Sequence, residues 1–225
     1  SCDDAIGTEL APGESYSCDF TVFVAGNGGD VVNDVVTFTV VDDEGNEATD
    51  DDDESVTVDD VEPTIDTTKN ATPGSIPEPG GNVTFEASVT NTSAEPVTIT
   101  GVTDAVDGGA PFDVTAAGGD VVSTTCGDAV GTVLAPGESY SCEFVVFVGG
   151  NAGDVINDVV EFTVVDDDSN EDSDDDDEDV DVEDDIPGIT LTKNASVSSV
   201  PEPGADVDFT FLVENTSPEA VTLTS

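Results

Sequence analysis

Two lysines are the only basic side chains in a 225-residue sequence that holds 53 aspartates and glutamates. They lie 124 residues apart, at Lys69 and Lys193, in matching local sequence. A lone amine among apolar strand residues has two chemistries open to it. It can bridge to a carboxylate, or, once desolvated and neutral, it can attack a carbonyl carbon. Alternation puts Ile189, Leu191 and Lys193 on one strand face, so the lysine points inward, where an unpaired cation is costly. One expectation is a lysine at a strand end bridged to a nearby acid. The sharper one is an intramolecular isopeptide bond, with Lys69 attacking Asn157 and Asp104 shuttling the proton. Alternation from Val160, Phe162 and Val164 turns Asp158 inward, so the Asn157 reading requires a bulge at Val159-Val160.

The four cysteines form two equally spaced pairs. Cys2 and Cys18 repeat as Cys126 and Cys142. One pair per repeat with none left over predicts two disulfides, the alternative being two buried thiols in each copy. Closing a loop of roughly 17 residues is worth about 3 kcal/mol in the chain-entropy account.

Acidic tracts are the third chemical signal. Asp166, Asp168, Asn170, Asp172 and Asp174 fall at every second residue, and Asp177 completes a spacing of positions 1, 3, 5, 7, 9 and 12. The earlier copy offers Asp42, Glu44, Asn46, Asp50 and Asp53, with Ala48 interrupting. Oxygen donors so spaced resemble the start of a calcium loop. Position 6 is Glu47 or Glu171 where an EF-hand needs glycine, and no helix pattern flanks the tract. The expected site is therefore a hairpin tip or an interdomain joint, with Ca²⁺ as the cofactor. Close carboxylate pairs repel by roughly 4 kcal/mol at an effective dielectric near 20, which favours a bound cation. A solvated acidic face is the plainer account of such a run.

The same composition excludes whole classes of function. A net charge of -51 leaves no means of neutralising nucleic-acid phosphates or anionic lipid. No apolar run reaches the ~20 residues of a membrane helix. Without histidine no Ser-His or Cys-His nucleophile can form, and without arginine there is no bidentate anion clamp. Paired carboxylates could hydrolyse a sugar, yet no tryptophan and two tyrosines give a sugar little to stack on. The chain is not expected to be an enzyme.

These residues need a scaffold, and the chain states it twice. Residues 1–101 slide onto 125–225 without a gap, and 64 of 101 positions match. A 124-residue period is too long for a solenoid coil and suits one whole domain per repeat. Acidic runs ending before Pro63 and Pro187 mark the boundaries. They give the C-terminal part of one repeat at 1–61, a complete repeat at 62–185, and the N-terminal part of the next at 186–225. The phase predicts a longer polypeptide array. Strand alternation runs through Val83, Phe85, Ala87 and Val89, through Tyr140 to Val148, through Val160, Phe162 and Val164, and through Val180 and Val182. Ile65, Thr67 and Lys69 make a first strand, and Val97, Ile99 and Val102 another. Turn signals such as Pro79-Gly80-Gly81 and Gly149-Gly150-Asn151 separate them. The fold class is all-β, a tandem of immunoglobulin-like antiparallel β-sandwich domains.

Asn91-Thr92-Ser93 after an alternating strand, then Leu134 to Cys142, then Gly153-Asp154-Val155-Ile156-Asn157, resembles the conserved-repeat domain of large bacterial and archaeal cell-surface proteins. The resemblance covers the whole repeat. It implies an Ig-like fold and tandem display outside the cell, and implies no ligand. The expected function is a structural extracellular stalk, filament or matrix fibre, stiffened by calcium and locked by disulfides. The alternative is an adhesin array that contacts a surface or glycan partner through glycine-rich loops such as 149–153. Expected partners are further copies in cis, extending to a homopolymeric filament, with no nucleic acid and no membrane insertion in this segment. Sequons at Asn70, Asn82, Asn91, Asn194 and Asn215 are candidate glycosylation sites.

Overall fold

A computed structural model describes residues 2–225. The chain divides into two compact units, one ending at Val61 and the other beginning at Glu62.

The first unit carries one antiparallel hairpin, β1 (Val31–Val41) with β2 (Glu47–Thr57). The second begins with β3 (Ile65–Thr72), β4 (Ser75–Pro77), β5 (Gly80–Asn91) and β6 (Val97–Val106). Then come β7 (Phe112–Asp113), β8 (Val121–Thr124), β9 (Val133–Leu134), β10 (Ser139–Gly149), β11 (Val155–Val165) and β12 (Glu171–Glu183). It closes with a hairpin of β13 (Ile189–Ala195) and β14 (Phe209–Asn215). Among the described residues the helical content is one 3₁₀ turn at Cys126–Asp128.

Residues 62–185 form two sheets, β3-β5-β10-β8 and β4-β12-β11-β6-β7, with β9 also on β6. Every strand pair is antiparallel except β4 with β12. Between the sheets lies a core of Val83, Phe85, Val89, Ile99, Phe144, Val160 and Phe162, all without exposed surface. Phe85 of β5 and Phe144 of β10 stack with centroids 5.7 Å apart. Sequence alternation produces this because period-2 apolar residues reach one face only. The break in alternation between Ile99 and Val102 is a bulge. Val164 pairs Ile99 and Thr163 pairs Gly101, so Thr100 is left over. Gly80 begins β5 at φ 141, and a Cβ there would stand 2.4 Å from the Val148 carbonyl oxygen. Only glycine permits that close strand approach.

Candidate functional site

The inward lysine is real, and two aspartates meet it. Lys69 lies mid-way along β3, an edge strand of the first sheet, and only 3% of its surface is exposed. Its Nζ donates to Asp104 Oδ1 at 2.5 Å and to Asp158 Oδ1. Both aspartates come from the second sheet, Asp104 on β6 and Asp158 on β11. The two strands are paired, with Asp104 opposite Val160 and Asp158 opposite Val106, so the carboxylates are diagonal neighbours on the inward face. All three side chains are sealed from solvent. The amine stands 4.5 Å from the Phe85 ring centroid and 5.5 Å from that of Phe144, a range where aromatic faces stabilise a cation.

Asn157 does not share this site. No bulge interrupts β11 at Val159-Val160, so period 2 places Asp158 inward and turns Asn157 away. The Asn157 amide donates to Asp177 at 2.7 Å and to Asp179 at 3.0 Å on β12. The structure brings Asp104 and Asp158, and not Asn157, to the Lys69 amine. The alternation itself carried the signal for Asp158.

One cation and two carboxyls in a dry core cannot all be charged without a net negative charge there. Burial, first, and then the hydrogen bond to Asp158 push the Asp104 carboxyl up to about 8, and the opposing pull of Lys69 does not cancel them. Asp104 therefore holds a proton at neutral pH. Asp104 Oδ2 and Asp158 Oδ2 are buried without a hydrogen-bond partner. Each such orphan costs about 1–3 kcal/mol, more for a charged group. A buried ion pair with orphans is a weak stabiliser, so packing energy alone does not explain why a lysine stands here.

The acidic tract at 166–178 is divided between a turn and a strand. Only Asp166, Asp168 and Asn170 lie in the hairpin turn between β11 and β12. There the Asp166 carboxylate accepts from the Asn170 backbone at 2.8 Å and from its amide at 3.1 Å. Asp172, Asp174 and Asp177 belong to strand β12. Asp172 and Asp174 face inward and accept from the backbone N–H groups of Ile65 (3.1 Å) and Thr67 (2.7 Å), and Asp176 continues the row to Lys69 (2.7 Å). Asp177 faces the other way. Successive carboxylates on one strand face stand about 7 Å apart, too far for a shell of roughly 6–8 oxygens at about 2.3–2.6 Å. In the first unit Asp42 likewise caps its turn, accepting from Glu44 and Asn46, and the Asn46 side chain is the largest influence holding its carboxyl below the usual range. Asp50 and Asp53 lie on β2, opposite Phe38 and Val35. Among the described residues no three acidic or thiol groups converge on a common point.

The inward row closes a seam. β3 ends one sheet, and its free N–H groups would otherwise be unpaired edge donors. Alternate carboxylates of β12 satisfy them, and the same face continues as Val180 and Val182 in the core. The composition of the tract concealed this amphipathic strand.

No family model matches the chain, and no curated protein does. Among solved structures, BcpA, the major pilin subunit of Bacillus cereus, aligns at 14% identity and a TM-score of 0.29. That alignment covers 69% of this chain and 49% of the pilin, so the chain spans about half of the pilin's length. No helix among the described residues is long and apolar enough to cross a membrane.

Cys2 is bonded to Cys18 and Cys126 to Cys142, and no cysteine is free. Of the sequons, Asn70, Asn82, Asn194 and Asn215 are exposed. Asn91 is fully buried and its amide donates to the carbonyls of Glu95 (2.8 Å) and Leu134 (2.9 Å), so the folded chain cannot offer it for glycosylation. The Asn215 amide makes the corresponding bond to Glu219. The glycine-rich loop 149–153 is tied to its own module, with Ala152 N–H donating to Glu78 and Gly153 N–H to the Val182 carbonyl.

Proposed function

We propose that this chain is a length of an extracellular structural array of the conserved-repeat kind, built of Ig-like modules that act as load-bearing spacers. One observation carries the reading. The one complete repeat is a closed sandwich whose single lysine and two cysteines are buried, so every exposed charged side chain on it is acidic. A module of that kind offers its neighbours strong repulsion, which favours an extended string. Disulfides in both repeats that carry the cysteines suit an oxidising exterior. An antibody raised against residues 62–185 should decorate the outside of intact cells, and labelling that appears only after lysis would sink the reading.

Cations belong to the same proposal as a property of the surface. The outward row Asp175, Asp177, Asp179 and Asp181 on β12 would gather Ca²⁺ as a territorial counterion without a chelating cage. A tandem of complete modules should lengthen or stiffen in calcium relative to sodium at equal ionic strength, measured by small-angle scattering. Equal curves in the two salts would remove calcium from the account and leave screening alone.

A further inference from the structure

We propose that Lys69 and Asp158 condense into an intramolecular isopeptide bond, with Asp104 as the proton-transferring acid. The reading is independent of where the array is displayed. It rests on the placement of three side chains from three strands in one sealed, aromatic-walled pocket, with Nζ in hydrogen-bond contact with both carboxyls.

The reaction balances without any co-reactant. A proton passes from the Lys69 ammonium to the Asp158 carboxylate, giving the neutral amine and acid that a dry site favours over the charged pair. The amine lone pair attacks Asp158 Cγ, and the carbonyl π pair moves onto oxygen. Asp104 donates its proton to that oxygen and takes one from the new ammonium nitrogen. The tetrahedral carbon then expels one hydroxyl, which leaves as water with the proton from Asp104, and the carbonyl re-forms as Asp104 recovers a proton from the remaining hydroxyl. One N–C bond forms, one C–O bond breaks, and one water is lost. Holding amine and acid in contact supplies the proximity such a condensation lacks in water.

The product also settles the hydrogen-bond accounting. Two buried carboxyl oxygens have no partner before the reaction. Afterwards one oxygen of Asp158 has left as water and the other is an amide carbonyl. That carbonyl can accept from the protonated Asp104, whose second oxygen can accept from the new amide N–H. The chain otherwise excludes cations, yet it places lysine at this repeat position in both copies and aspartate at Asp34 and Asp158. A bond here would join β3 to β11 across the sandwich and lock the 89-residue separation between them against extension.

The test is the intact mass of the whole chain, denatured, reduced and alkylated. The expected value is one water below the mass of the sequence with four alkylated cysteines, with a branched peptide joining Lys69 to Asp158 after proteolysis and one reactive lysine in place of two. Lys69→Met should restore the full mass. Asp158→Asn should lose ammonia in place of water, a signature that a structural role would not produce. A wild-type chain at full mass with two reactive lysines overturns the proposal. So does a Lys69→Met chain that is still one water light, since the loss is then succinimide elsewhere. A branch to Asp104 would overturn the assignment of roles.

Discussion

Phe162 has no exposed surface, whereas Phe38, its counterpart 124 residues earlier, is 49% exposed. The two sit in strands of nearly identical sequence and identical hairpin register, although the strand of Phe162 also pairs β6. Val31 pairs Thr57 and Val41 pairs Glu47 in the first unit, as Val155 pairs Asp181 and Val165 pairs Glu171 in the central module. The hairpin at 189–215 repeats the comparison. Ile189 pairs Asn215 and Lys193 pairs Phe211, the register of Ile65 with Asn91 and Lys69 with Ala87. Lys193 even keeps its aromatic neighbour, with Nζ 4.3 Å from the Phe209 centroid, yet its side chain is exposed. Pairing register is thus local, fixed by the turn and the alternation. Burial, and with it the chemistry of the lysine, needs the second sheet. Asp104 and Asp158 reach Lys69 only where both sheets of one repeat occur together.

The largest expected difference between the copies is therefore at the lysine. Lys69→Ala leaves the Asp104 and Asp158 carboxyls buried without their lysine partner and should cost about 3–5 kcal/mol, enough to collapse a small module's melting transition. Lys193→Ala removes an exposed side chain and should leave that transition within about 0.5 kcal/mol. Differential scanning calorimetry of the two variants decides. Equal effects would mean that the central lysine is not the buried group described here.

Next in size is the response to pH, which belongs to the central module because neither flanking segment contains a counterpart of Asp104. Its folded carboxyl is raised from 3.8 to about 8. Between these values the unfolded chain has released a proton that the folded chain keeps. Stability from this group is therefore complete in acid and is lost as pH rises through about 8, at roughly 1.4 kcal/mol per pH unit before relaxation reduces it. Burial, the first cause, acts whether or not the isopeptide bond has formed. Denaturant melts from pH 4.5 to 8 should slope downward, and Asp104→Asn, which carries no titrating proton, should flatten the slope. An unchanged slope in that variant would assign the pH response to the acidic surface alone.

How much of this was legible in the sequence depends on which force set each element. The repeat, the sandwich strands and the inward lysine are written in period and alternation, because apolar side chains in a half-buried strand must recur at every second residue. The Asp158 partner was legible too, from Val160, Phe162 and Val164. The acidic strand was not. Aspartate is a poor strand former, and a run from Glu171 to Asp179 has no apolar period to read. It is a strand because β11 pairs one edge and because Asp172, Asp174 and Asp176 answer the free donors of β3. That is a tertiary cause with no local signature. Asn91 hid in the same way. Its sequon reads as a surface triplet, while its amide is spent on the Glu95 and Leu134 carbonyls.

The acidic seam gives a third, smaller contrast. Asp174→Ala removes the acceptor for Thr67 N–H and should cost about 1–2 kcal/mol. Asp174→Asn keeps an acceptor oxygen and sheds a charge, so it should be neutral or slightly stabilising. Asp50, the counterpart in the first unit, is exposed on β2, and Asp50→Ala should do nothing measurable. If the alanine and asparagine variants of Asp174 both stabilise, repulsion dominates the tract and the seam is incidental.

The smallest contrast lies in the turns that set the register. Gly45 and Ser169 are counterparts at the tip of the two long hairpins, and both adopt positive φ, 86° and 73°. Glycine takes that conformation freely, whereas serine pays for the proximity of its Cβ to the backbone. The central hairpin therefore carries a local strain that the first unit avoids, although the turn bonds are otherwise the same, with Asp42 and Asp166 each accepting from the asparagine four residues on. Ser169→Gly should stabilise the central module by about 0.5–1 kcal/mol, the usual gain from relieving a left-handed residue less the entropy of the added glycine. Gly45→Ser should weaken the first hairpin by a similar amount, read as faster amide exchange at Glu47 and Ala48. A destabilised Ser169→Gly variant would show that the serine side chain contributes more to the turn than its backbone conformation costs, and register would then depend on side-chain bonding at the tip.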